Sequence, residues 1–337
     1  MNSVRIDARW WRKPAARISV KALIGLSLIA LLCWRLDFHA ITRAFARFSW
    51  PYLLTALMLF LCSWPIAAAR WRLFAPRFPF RHLLVLNLIG QFYAVVLPGQ
   101  IAGEAVKAYR LAKGNADAER LAASVAMDRL VGTIALLLVA VVGIALTPHA
   151  LPESLRALLI GLSILLVAGL FMFRVPTIYR ITQKAIVEIL PARMQQLTTT
   201  LRRLIDAWRD FSNAPWRIAA SLLLGIVLQM IALGMYATLA ANLGIVISVA
   251  DWLWVIAVTS LAVLLPLSIG GIGLREGALV GCLGYLGVAG EPAIVLSIGI
   301  FAITLSGAFA GGILEVIQKR ARPATSSTKT ADRDVHR

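Results

Sequence analysis

The chain has 337 residues, 60% of them hydrophobic and only 15% charged, which is too little charge to cover the surface of a soluble domain of this size. Its formal net charge of +18 has no compact basic domain behind it. That argues against a nucleic-acid partner and for Lys and Arg gathered in loops beside anionic headgroups. Apolar runs of about 17–25 residues recur along the chain, the length that crosses about 30 Å of hydrocarbon as helix. The reading is an all-α integral membrane protein.

In chain order, residues 1–17 form a basic tail, followed by an apolar stretch at Ile18–Leu36. No small-residue cleavage site follows promptly, so this reads as a retained first helix rather than a signal peptide. Further spans are expected at Trp50–Ala69, Leu130–Thr147, Leu155–Phe173, Trp216–Ala241 and Pro292–Gln318. Two apolar stretches, His82–Leu97 and Asp251–Leu265, are each about 24 Å as helix, a little short to cross. Both run into helix-breaking residues, Pro98-Gly99 and Pro266. Each is followed by a second helical stretch, Glu104–Lys113 or Leu274–Leu286.

Positive charge decides what the short pieces are. If 82–113 and 251–287 are re-entrant hairpins, most of the 34 Lys and Arg fall on one face, leaving Arg35, Arg43, Arg47 and Arg156 on the other. If the first hairpin crossed instead, the basic segment Arg174–Arg217 would lie outside, against the positive-inside rule. The expected fold is therefore six full transmembrane helices and two re-entrant hairpins, with both termini cytoplasmic. Residues 18–147 and 155–318 each read as span, span, hairpin, span. Three crossings per unit make the second copy an inverted repeat, and broken segments at matching places point to a transporter's binding site. Within the second unit, Leu197, Leu201, Leu204, Trp208 and Phe211 line one face of a polar segment, 177–213, that reads as an amphipathic helix with its apolar side in the acyl region. Residues 319–337 read as a polar, disordered tail.

Ionisable residues at membrane depth are costly and usually functional. Glu104, Lys107, Asp128, Arg129, Arg275 and Glu276 cluster at or near the two hairpins. A helix that starts at the midplane offers unpaired N–H groups and a positive dipole end. Gly103, Gly270, Gly271 and Gly273 leave room for close approach, so the tips suit a phosphate-like anion. The bland alternative is a set of salt bridges that pins the hairpins. Cys33, Cys62 and Cys282 and the four scattered His have no ligand-like spacing, and no G-x-x-x-x-G-K-[ST] occurs. Neither a metal nor another cofactor is expected.

Three motifs, "LPGQIAGEAVKAYRLAK", "MDRLVG" and "LPLSIGGIGLREGALVG", together resemble the lysylphosphatidylglycerol synthase transmembrane-region family, the flippase-like membrane proteins. The family's first motif has Gly-Gly-Asp with an Arg three residues on; here Ala102-Gly103-Glu104 and Lys107 stand there. Its Asp-Arg and Arg-Glu correspond to Asp128-Arg129 and Arg275-Glu276. The resemblance implies a multi-pass protein of the bacterial inner membrane that handles anionic or phosphate-bearing lipids, including aminoacylated or otherwise modified ones. No soluble aminoacyltransferase domain is expected after the last span, so transport rather than catalysis is expected. Its partners would be membrane lipids and, besides these, a second copy of the chain or a separately encoded lipid-modifying enzyme. A small-solute permease and the membrane subunit or scaffold of a lipid-modifying enzyme are the rival readings.

Overall fold

A computed structural model describes residues 49–97, 100–147, 151–189, 194–265, 268 and 270–321. The expected first span, the breaks Pro98, Gly99 and Pro266, and the tail beyond residue 321 lie outside the described residues. Every described element is a helix: α1 (Trp50–Arg72), α2 (Phe80–Val96), α3 (Ile101–Ala112), α4 (Ala118–Leu146), α5 (Glu153–Phe171), α6 (Pro176–Ile189), α7 (Gln195–Ser212), α8 (Pro215–Asn242), α9 (Val249–Leu264), α10 (Leu274–Tyr285) and α11 (Gly290–Ala321). Five of them, α1, α4, α5, α8 and α11, are long and apolar enough to cross a membrane, while α2 and α9 are shorter apolar helices.

Local chemistry sets several helix starts. Pro215 occupies the first turn of α8, where a missing N–H costs nothing. Ser248 caps α9 by accepting from the Asp251 N–H at 3.0 Å, and Asp251 then accepts from the buried Trp254 indole at 3.1 Å. α4 departs from expectation. It begins at Ala118, not Leu130, so Asp128-Arg129 stands within a continuous helix of 29 residues. The added turns, "AERLAASVAMDR", are rich in strong helix formers but too polar to register as membrane span.

Bare glycine backbone lets the helices meet. A Cβ on Gly103 would lie 2.3 Å from the Gly90 carbonyl oxygen, so α2 and α3 touch backbone to backbone. Gly311 of α11 lies against the Leu88 carbonyl of α2, and Gly143 of α4 against the Ala250 carbonyl of α9. The pattern is reciprocal. α2 packs along α11 as α9 packs along α4, α2–α3 is matched by α9–α10, and α1 and α8 pack extensively on each other.

The polar segment 177–213 is broken at Pro191, and the two helices α6 and α7 stand on either side of the break. α6 and α7 are tied by Asp206, which accepts from Tyr179 and Gln183 at 2.7 Å each. The later part of the apolar stripe of α7 departs from the acyl-facing expectation, while Leu197 is exposed. Phe211 is buried against Phe74 with ring centroids 5.6 Å apart, and Leu204 and Trp208 pack into the same cluster with Met127 and Val131 of α4. Protein takes up that face because the polar start of α4 extends far enough to meet it.

Candidate functional site

Two adjoining cavities of about 340 and 240 Å³ share part of their lining, the larger touching both short-helix pairs and the smaller only the first. Phe60, Arg70, Gln91, Gln100 and Arg129 line both. The larger reaches Arg275 and is walled by α4, α8, α9 and α11; the smaller reaches Gly103, Glu104, Lys107 and Asp128. The charged residues singled out in the sequence thus converge, with one exception.

The exception is Glu276. Its Oε2 accepts from the Gly273 N–H at 2.6 Å and its Oε1 from the Ser297 hydroxyl at 2.9 Å. The start of α10 is therefore capped by the chain's own carboxylate, and the anion expected at that helix end meets Glu276 already in place. Gly270, Gly271 and Gly273 have φ of 61°, 77° and 83°, conformations that glycine adopts without strain. These glycines shape the turn into α10. A Cβ on Gly271 would lie 2.4 Å from Val263, and one on Gly270 would lie 3.2 Å from the Val95 carbonyl, where the second pair reaches the end of α2.

The cations differ in how they are neutralised. Lys107 pairs with Glu104 at 2.7 Å, donates to Asn87 at 3.1 Å and lies over the Trp71 ring. Asp128 is taken by Arg70, whose Nε and Nη2 donate to its two oxygens at 2.8 and 3.1 Å. Among the described residues, the Arg129 side chain donates only to the neutral Gln100 Oε1, at 3.1 Å. Arg275 is 5% exposed. Its Nη2 reaches the Gly270 carbonyl at 3.3 Å, its guanidinium lies 5.2 Å from the Phe301 ring centre, and its Nη1 has no hydrogen-bond partner. Among the described residues, no carboxylate pairs with Arg129 or Arg275.

A buried charge without a counter-charge is costly. Buried Arg275 and partly buried Arg129, left over beside one polar cavity, make a place for an anion, with Arg offering the planar fork that fits phosphate oxygens. Arg70 escaped the sequence reading because it stands beside exposed Arg72 in a basic stretch. Gln91, Gln100 and Gln229 also escaped it, being neutral. The signal that was present is the placement of Gln91 in an otherwise apolar run.

The family model for the lysylphosphatidylglycerol synthase TM region matches residues 18–312, which include every residue lining these cavities. No curated protein and no solved structure matches the chain.

Proposed function

Since the chain belongs to the lysylphosphatidylglycerol synthase TM-region family, we propose that it is a multi-pass transporter of the bacterial inner membrane that moves a phosphate-bearing lipid between leaflets. The observation that carries this reading is the pair Arg129 and Arg275, both lining one cavity and neither matched by a carboxylate among the described residues. The phosphate would pass between the two short-helix pairs while the acyl tails stay in hydrocarbon. The reciprocal packing of α2 on α11 and α9 on α4 supports an inverted repeat. In this arrangement residues 18–36 supply the sixth crossing, both termini face the cytoplasm, and the pairs α2–α3 and α9–α10 enter from opposite sides.

The test is flip of a fluorescent anionic phospholipid in proteoliposomes, scored by access to an external quencher. A hydrogen bond to a charged group contributes about 1.5–3 kcal/mol. Arg275→Ala and Arg129→Ala should each slow flip by roughly 10–100-fold, with Arg275→Lys in between. Flip that proceeds at the native rate in both alanine variants would overturn the reading.

A further inference from the structure

We infer that the larger cavity selects a phosphate ester whose remaining headgroup is uncharged and rich in hydroxyls, a polyol or a sugar, over one that carries an ammonium. This rests on the transport reading above and narrows its substrate. The two adjoining cavities have different chemistry. The smaller contains the carboxylates Glu104 and Asp128, each already held by a cation. The larger is lined by Arg70, Arg129 and Arg275, and no carboxylate lines it among the described residues. An ammonium brought there meets the like charge of Arg129 and Arg275, with no carboxylate among the lining residues to neutralise it.

What the larger cavity has in addition is neutral hydrogen-bonding capacity. Gln91, Gln229 and Ser260 line it, and none of their side chains makes a hydrogen bond with another described residue. Thr133 and Thr304 also line it. Their hydroxyls donate to the Arg129 and Ile300 carbonyls at 2.9 Å each, which leaves their oxygen lone pairs to accept. Amides that both donate and accept, beside hydroxyls that accept, complement a group that itself does both. The buried, unpartnered Nη1 of Arg275 supplies the phosphate contact. At about 340 Å³ the space falls in the range of small-ligand sites.

A phosphate ester of this kind has two sources, a lipid headgroup or a soluble polyol phosphate, and the experiment separates them. Full-length protein in proteoliposomes would be given four lipids with the same fluorescent acyl chain: phosphatidylglycerol, phosphatidylinositol, phosphatidic acid and phosphatidylethanolamine. The expected result is that the two hydroxyl-bearing anionic lipids flip at least tenfold faster than the other two. The ratio of phosphatidylinositol to phosphatidic acid rates should then fall about tenfold in Gln229→Leu, the scale of one lost hydrogen bond. Thr133→Val, which keeps shape, gives a second reading of that ratio if Gln229→Leu does not fold. Phosphatidylethanolamine or phosphatidic acid moving as fast as phosphatidylinositol would overturn the inference while leaving lipid transport intact. If no lipid moves, the transport reading fails for lipids, and labelled glycerol 3-phosphate tests the soluble source in the same vesicles. Uptake lost in Arg275→Ala and reduced in Gln229→Leu would sustain the headgroup chemistry; no uptake would overturn it too.

Discussion

Arg70 and Arg72 stand two residues apart near the end of α1, yet only Arg72 is exposed. The Arg70 side chain is 11% exposed and crosses bare backbone on α4, where a Cβ on Gly132 would lie 2.6 Å from its Nη1. Both oxygens of Asp128 receive its hydrogen bonds. Removing one member of such a pair strands the other and costs about 3–5 kcal/mol. Arg70→Gln and Asp128→Asn should therefore each lower the thermal unfolding midpoint in detergent, while the double variant loses clearly less than the sum. Additive losses would show that the two do not act as a pair. Asp128 was legible in the sequence because a carboxylate in an apolar run is conspicuous. Arg70 was not, because hydropathy along one chain cannot tell a loop cation from one that a neighbouring helix will bury.

At the scale of elements, apolar length located four of the five long helices to within a few residues, because the hydrocarbon itself sets that length. It misplaced the start of α4, whose first turns are polar and rely on helix propensity and on protein neighbours. Trp71 donates to Ser124 at 3.3 Å, and Ala123 and Met127 pack with Phe211 of α7. That packing explains why the later part of the α7 stripe, Leu204, Trp208 and Phe211, lies against protein, while Leu197 is 40% exposed. Truncating a buried Phe costs about 3–5 kcal/mol. In Phe211→Ala the amides of α7 should exchange hydrogen markedly faster, while those of α11, which lies outside this cluster, keep their protection. Unchanged exchange in α7 would mean that the contact does not anchor it.

For the molecule as a whole, the packing of each short apolar helix on the helix that follows it, α2 on α3 and α9 on α10, was legible because both broken segments carry their own Pro and Gly signals. How the units interlock was not, since single glycines such as Gly143 and Gly311 give no sign of which backbone they will meet. Sidedness is open to a direct test in a cysteine-free background. Val246, 91% exposed between α8 and α9, should react as Val246→Cys with an impermeant maleimide added outside the inner membrane. Ala116→Cys, between α3 and α4, should react only after permeabilisation. Labelling of both from one side would rule out the inverted arrangement. The reciprocal packing also bears on how the protein is made. The Leu88 carbonyl of α2 lies against Gly311 of α11, and Gly143 of α4 lies against the Ala250 carbonyl of α9. The first half therefore leaves the ribosome before the backbones it packs against, which are encoded far downstream. These two contacts of the first half can form only after α9 and α11 have been synthesised.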